Sequence, residues 1–370
     1  MRILILNWKD IKHPLAGGAE TVTHRYAVEL TRLGHKLTLF SSSIAGLKSA
    51  EIINGVEIIR RGSLYTVHLW ACFYYLLYLR QRTDILIDQI HGVPFFTPLY
   101  AHKPILTWIH EVAGEIWSKE FPWPLSFMGQ LLENAGFIIY RGIPFLTDSD
   151  STAKELRRYG IDKSRIKVIG LTINKPRVYP GKKTDSPSLV YIGRISPVKR
   201  LELVITAVHG LRQQFPELQF TLAGTGKPAY IEKLSDIIRI HGLSRHVLLI
   251  GQVSEAEKYK LLSTSWLHIQ PSLKEGFGLT VLEAAAVGTP TVCFNVPGLR
   301  DLVKNRINGL IVEAQTVAAM TNSIRKLCTD NGLRERLYSN AYNWSKTLPS
   351  WKKQAQKLEH LLFDLTPPRD

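Results

Sequence analysis

LHIQPSLKEGFGLTVLEAAAVGTPTVCF, residues 267–294, holds one complete strand–loop–helix–strand unit. Leu267 to Gln270 is a short apolar run of strand length, and Thr291 to Phe294 is another. Between them lie a glycine-containing loop and a helical pattern over Thr280 to Val287. A helix joining two short apolar strands is the crossover that parallel pairing requires. The stretch therefore places the chain among parallel α/β proteins.

Reading outward, the same alternation fills the rest of this half. Strands are expected at Leu189 to Ile192, Gln219 to Ala223 and Val247 to Ile250. Helices are expected from about Arg200 to Phe215, Tyr230 to His241 and Glu255 to Ser263. Pro180 to Ser188, PGKKTDSPS, is poor in apolar residues and reads as an interdomain linker. Before it the alternation runs once already, with strands at Arg2 to Asn7, Lys36 to Phe40, Val56 to Arg60, Ile85 to Asp88, Ile105 to Ile109 and Pro144 to Thr147. A helix from about Glu20 to Leu33 has Val22, Tyr26, Val28, Leu30 and Leu33 on one face, and Gly34 offers a left-handed cap. Asp150 or Ser151 is expected to cap a helix carrying Ala153 to Tyr159. Asn340 to Leu365 reads as helical, and Trp344, Trp351, Leu358 and Leu362 need a surface to bury against.

The expected organisation is two Rossmann-like domains, 1–182 and 183–345, with a carboxyl-terminal helix over 346–370 packing back on the first. Ligands of doubly wound sheets sit beyond the carboxyl ends of the strands. Two facing domains would thus enclose a cleft.

The loop and helix start of SLKEGFGLTVLEAAAVG, residues 272–288, carry the first chemical signal. Gly276 and Gly278 permit close backbone approach. A helix start offers unpaired amides and a positive dipole end, which favour phosphate. Glu283, about one turn into the helix, could accept hydrogen bonds from a ribose diol, and Glu275 could reach hydroxyls of a sugar. Two solvated glutamates around an ordinary turn are the plain alternative. A second window, VYIGRISPVKR at 190–200, places Arg194 and Lys199 beyond a strand that ends at Gly193. Two cations there suit a diphosphate, with each charge-assisted bond worth roughly 1.5–3 kcal/mol. They would also stabilise a diphosphate as it leaves. A third strand end, LAGTGK at 222–227, adds Gly224, but it lacks the upstream glycine spacing of a P-loop.

In combination these residues resemble the retaining glycosyltransferases of family 4, which have the GT-B architecture. The resemblance runs nearly end to end, through GGAE at Gly17 to Glu20, WIHE ending at Glu111, DSDSTAKEL from Asp148, and Gly193-Arg194 with Lys199. It continues through AGTG at 223–226, EGFGLTVLEA from Glu275, and NGL at Asn308. It implies that Arg194 and Lys199 bind the donor diphosphate and stabilise its departure. Glu283 would hold the ribose, while Glu275 and the amides of Phe277 and Gly278 would hold the donor sugar. His110 would face that sugar from the first domain, and Gly17 and Gly18 would form the loop approaching the diphosphate. Gly193, Gly224, Gly276 and Leu279 complete the implied donor-binding set. No metal and no cofactor is implied, the donor being a UDP- or GDP-type sugar. Gly170-Leu171-Thr172-Ile173-Asn174 and Pro297-Gly298-Leu299-Arg300 depart from the common family pattern, so donor sugar and base stay open.

Other chemistry is excluded or plainer. Asp148-Ser149-Asp150 has the spacing of metal-dependent transferases, but it directly precedes a helix and reads as capping and domain-edge packing. His110-Glu111 is not HExxH, since position 114 is Gly. His13, His91 and His102 read as loop or structural histidines. No GxSxG supports a hydrolase, and no GxGxxG follows the first strand. Trp117, Phe121 and Trp123 fit an acceptor groove, lipid contact or buried packing.

A chain of 370 residues, 45% hydrophobic and 21% charged, is long enough for two cores. Its three cysteines, Cys72, Cys293 and Cys328, lack metal spacing and suit a reducing compartment. MRILILNWKD has no signal-peptide pattern, so the chain reads as cytoplasmic. The net charge of +16 suits phosphorylated substrates and an anionic membrane better than nucleic acid, for which no binding module is present. Leu69 to Leu79, bracketed by Arg60, Arg61, Arg80 and Arg82, is too short to span a bilayer and fits a buried helix or a membrane-surface one. The function expected is transfer of a hexose-type sugar to a glycan or lipid-linked acceptor, with peripheral contact at the inner membrane face open. The alternatives are a non-catalytic nucleotide-sugar-binding subunit of a glycan assembly system and a sugar-nucleotide epimerase.

Overall fold

A computed structural model describes every residue except 175, 177–179 and 367–370. The chain forms two compact units, Met1–Thr172 with Pro349–Asp370, and Ile173–Leu348. The first is built on β1 (Arg2–Leu6), β2 (Lys36–Ser41), β3 (Ala50–Ile53), β4 (Val56–Arg60), β5 (Ile85–Ile90), β6 (Ile105–Ile109), β7 (Phe145–Thr147) and β8 (Ile166–Val168). They lie in the order β3-β4-β2-β1-β5-β6-β7-β8. All neighbours are parallel except β3 and β4. That hairpin turns at Asn54 and Gly55, both with positive φ (52° and 86°), as a two-residue turn between twisted strands requires.

The second unit holds β9 (Ser188–Ile192), β10 (Gln219–Ala223), β11 (Val247–Gly251), β12 (Leu267–Gln270), β13 (Thr291–Phe294) and β14 (Gly309–Val312). The order is β11-β10-β9-β12-β13-β14, parallel throughout. β5, β9, β12 and β13 are buried along their whole length, which explains their continuous apolar runs. Leaving aside the β3–β4 hairpin, the parallel strands of each sheet reverse their order once, between β1 and β5 in the first unit and between β9 and β12 in the second. Such a reversal opens a crevice at the carboxyl ends of the two strands, where doubly wound proteins bind ligands.

The helix Gly18–Arg32 covers the first sheet and in turn receives the carboxyl-terminal helix Trp351–Leu365. Trp351 sets its ring edge-on to Tyr26 at 5.4 Å, and Glu359 meets His35 at 2.7 Å. The single helix expected over Asn340 to Leu365 is instead two, Asn331–Lys346 and Trp351–Leu365. Pro349 cannot continue the first, and Ser350 caps the second by accepting from the Lys353 amide at 3.2 Å. Trp344 and Trp351 therefore belong to different units. Residues 367–370, the end of the expected 346–370 segment, lie outside the described residues.

One more expectation is corrected. Ser149, not Asp150 or Ser151, caps the helix Asp150–Arg158, its Oγ accepting from the Thr152 amide at 3.2 Å. The segment read as a linker is fastened to the second unit: Thr184 O accepts from Trp266 Nε1 at 2.7 Å, and Lys183 Nζ donates to Thr289 Oγ1 at 2.5 Å. Over 67–79 the chain forms the helix Val67–Tyr74 with a wider π-type continuation, Tyr75–Leu79. Val67, Ala71, Tyr75 and Leu79, four residues apart, form its buried stripe. Burying the Leu79 side chain contributes about 1.5–3 kcal/mol.

Candidate active site

In the second unit the site residues gather at the β9/β12 reversal. Gly193 follows the end of β9 and Gly224 the end of β10, and the two turns pack backbone on backbone. A Cβ on Gly224 would lie 1.8 Å from the Gly193 carbonyl oxygen, so only glycine fits there. The loop after β12 is pinned in the same way. A Cβ on Gly298 would lie 2.2 Å from the Glu275 carbonyl oxygen, and Gly298 holds a φ of +80°. Arg194 stands exposed beyond this floor, with its carbonyl accepting from Tyr191 Oη at 2.7 Å.

Lys199 ends the short turn Pro197–Lys199, and its ammonium pairs directly with Glu275. Both side chains are only 12–14% exposed. Gln270 Nε2 and Ser272 Oγ also donate to Glu275, at 2.7 and 2.8 Å. Burial would raise the Glu275 carboxyl, but Lys199 and these donors outweigh it and hold it below its ordinary value. Arg200 donates to the carbonyls of Pro271 and Ser272 at 3.1 and 3.0 Å, tying the β9 turn to the β12 loop. Sequence reading passed over this arginine.

Gly276 and the buried Phe277 lead to Gly278, which is left-handed (φ 92°), and the helix Leu279–Ala286 begins there. Its first amides lack intrahelical acceptors. Glu283 lies on that helix and is paired with Lys258 Nζ at 2.7 Å, a partner not expected. Burial raises the Glu283 carboxyl, Lys258 opposing and Glu255 adding to the rise.

The first unit has its own cluster at the β1/β5 reversal. Gly17 precedes the helix that begins at Gly18, and a Cβ on it would meet only Glu20 Oε2, at 3.7 Å. Packing thus does not demand glycine at 17. Glu20 shapes the loop, taking the Gly17 amide at 2.6 Å and pairing with Lys9 at 3.2 Å. Lys9 in turn donates to Leu15 O at 2.8 Å.

His110, at the end of β6, is 7% exposed, and its Nδ1 is hydrogen-bonded to the Asp148 carboxylate. Its Nε2 meets the Gln89 amide nitrogen at 2.5 Å. That amide also donates to Thr23 Oγ1 at 2.5 Å, while Gln89 Oε1 accepts from Asn7 Nδ2 at 2.6 Å. The network fits an imidazole that carries its proton on Nδ1. Burial disfavours the charged ring, but Asp148, helped by Glu20 and Glu111, raises His110 above the ordinary histidine value.

Asp148 is thus not a helix cap, as its sequence context suggested. It also accepts from Trp108 Nε1 at 3.2 Å and so orients His110. His91, read as an isolated structural histidine, stands 5.6 Å from the His110 ring and is driven down to about 3, chiefly by burial. Among the described residues its Nε2 has no hydrogen-bond partner. Also among the described residues, no three His, Cys, Asp or Glu side chains are grouped to hold a metal.

A pH signature follows from the His110–Asp148 pair. A histidine raised in the folded state stabilises fully below its unfolded pKa of about 6.5. That contribution is lost as pH rises through the raised folded value. The melting temperature of Asp148→Asn should therefore lie several degrees, roughly 4 °C or more, below wild type in mild acid. The gap should shrink toward pH 9, as thermal melts across that range would show.

Residues 16–175 match the profile described as Glycosyltransferase Family 4, and residues 173–344 match Glycosyl transferases group 1. A glycogen synthase of Mycobacterium tuberculosis is 32% identical over 91% of this chain and 88% of its own. A D-inositol 3-phosphate glycosyltransferase of Geodermatophilus obscurus is 30% identical, with the match spanning 54% of this chain and 50% of that protein. Among solved structures, the sucrose-phosphate synthase of Thermosynechococcus elongatus superposes with a TM-score of 0.84 at 20% identity, covering 98% of both chains. The HepE protein of Anabaena, solved with UDP-glucose, gives 0.78 at 17% identity over 99% of this chain and 100% of its own.

Proposed function

The chain belongs to glycosyltransferase family 4, with the GT-B class of fold, and we propose that it moves a hexose from a nucleoside diphosphate sugar with retention of configuration. The observation that carries this reading is the Lys199–Glu275 pair at the β9/β12 reversal, with Gly193 and Arg194 earlier in the same loop after β9. A buried cation at such a crevice, with an exposed arginine earlier in the same loop, suits a diphosphate. Relatives and neighbours add support: one is a glycogen synthase, and HepE was solved with UDP-glucose.

In the proposed reaction the bond from the sugar anomeric carbon to the β-phosphate oxygen breaks. The acceptor hydroxyl oxygen bonds to the same carbon from the same face. Its proton passes to the departing phosphate oxygen, so no protein base is required. Arg194 and Lys199 neutralise the charge that grows on the diphosphate, in place of a divalent ion. Glu275 first orients Lys199 and then shares it with the phosphate while accepting from sugar hydroxyls. The first helical amides after Gly278 add donors for phosphate. Glu283 holds the ribose diol, exchanging part of its bond to Lys258. His110, preset by Asp148, exchanges the Gln89 amide for a sugar hydroxyl. The acceptor is a glycan or a lipid-linked sugar.

The test is incubation with UDP- and GDP-hexoses and a panel of glycan acceptors in EDTA. Acceptor-dependent release of one nucleoside diphosphate is expected, with the product anomer matching the donor by NMR. Nucleotide binding without turnover would support the non-catalytic subunit instead. Free or epimerised sugar without acceptor use would support the epimerase.

A further inference from the structure

Two segments of the first unit expose apolar side chains on opposite sides of one loop. The first is the 67–79 helix, whose inner stripe is buried while Leu69, Phe73 and Leu77 are 63–70% exposed. The second runs from Phe121 into the helix Leu125–Ile139, where Trp123 is 81% exposed and Phe127 and Leu131 are 57–59% exposed. Between them passes the loop 91–95 that follows β5. His68 on the first helix lies 3.3 Å from Val93 O and stacks near Phe95 at 4.5 Å. From the other side Gly136 leaves room for Pro94, and Gly92 and Gly129 both leave room for Trp117.

The exposed charges within these two segments are positive, while carboxylates lie at their borders, Glu57 beside Arg82 and Glu115 and Glu120 before Phe121. Residues 62–82 contain no carboxylate and end in Arg80 and Arg82. Arg82 lies 3.6 Å from Glu57. Residues 121–144 contain one carboxylate, Glu133, which is buried and accepts from the amides of Ala113 and Gly114 and from Trp117 Nε1. Arg141 is exposed beyond it. Leucine and aromatic side chains facing outward beside arginines are the composition of an interfacial membrane anchor. A net charge of +16 adds long-range attraction to an anionic leaflet. No helix among the described residues is long and apolar enough to cross a membrane, so contact would be interfacial.

We propose that this face of the first unit docks on an anionic phospholipid bilayer, with Leu69, Phe73, Leu77, Trp123, Phe127 and Leu131 entering the headgroup region and Arg80, Arg82 and Arg141 meeting lipid phosphates. The proposal stands apart from the transfer reaction, because its test reads partition and not turnover. The test is sedimentation with phosphatidylcholine vesicles, with and without phosphatidylglycerol, of wild type, Phe73→Gln/Leu77→Gln, Phe127→Gln/Leu131→Gln and Arg80→Gln/Arg82→Gln. The expected result is wild-type binding to the anionic vesicles alone, weakened about 10-fold or more by each apolar pair. The arginine pair should weaken it less, and added salt should weaken it further. Quenching of wild-type tryptophan fluorescence by brominated lipid checks insertion without any variant.

Three results would overturn the proposal. One is absence of binding to anionic vesicles, and another is binding indifferent to both apolar pairs. The third is a wild-type dimer, seen by sedimentation velocity, that these pairs dissolve while vesicles have no effect, which would assign the face to a second copy.

Discussion

Lys199→Ala is expected to lower the rate of sugar transfer about 1,000-fold. The ammonium is held where leaving-group charge would grow, and it reaches that position already paired with Glu275. Preorganisation of this kind lowers the barrier because nothing has to be reoriented at the moment of reaction. Removing the cation also leaves Glu275 buried with Gln270 and Ser272 as its side-chain donors among the described residues. A buried charge stripped of its partner costs about 3 kcal/mol of stability. Loss of rate could therefore be confused with loss of fold. The double variant Lys199→Ala/Glu275→Gln separates the two. It should recover most of the melting temperature and none of the activity, whereas a purely structural pair would recover both. Transfer by Lys199→Ala within about 5-fold of wild type would remove Lys199 from the chemistry.

Glu283→Gln is expected to act on the other end of the donor. Two charge-assisted bonds to a ribose diol would weaken together, so the donor KM should rise about 10- to 100-fold with kcat nearly unchanged. The pH dependence carries a sign. The carboxylate is the form that accepts from the diol, and burial raises its pKa. Donor KM should then climb as pH falls through that raised value. Lys258 opposes the rise, so Lys258→Ala should move the climb to higher pH. In Glu283→Gln the climb should vanish. A variant that kept it would place the titrating group elsewhere.

How much of this was readable before the fold was known depends on what each residue answers to. β6, β12 and β13 stood where continuous apolar runs put them, because a strand buried on both faces has no alternative pattern. β3, β8 and β14 went unseen: AEII and IKV are half-exposed edge pieces held by their neighbours, and β14 is the edge strand of the second sheet. The Asn54-Gly55 turn was the available signal for the first of them.

The helix Leu125–Ile139 hid because apolar residues lie on its exposed side as well as its buried one. In the site, Lys199 and Glu275 were each legible from local chemistry, yet their pairing spans 76 positions and follows from the strand-order reversal. Asp148-Ser149-Asp150 looked like one capping motif. Its members instead orient His110, cap the helix and open its first turn. Gln89 and His91 have no local signature, and only the β5/β6 pairing brings them to His110.

The central claim is that the second unit holds a nucleoside diphosphate through Arg194 and Lys199. Its most direct test is calorimetric titration of UDP and of GDP, in EDTA, into wild type and Arg194→Ala. Metal-free binding of one nucleotide is expected, weakened about 10-fold or more by the substitution. Binding of neither nucleotide to folded wild type, or equal binding by both proteins, would contradict it.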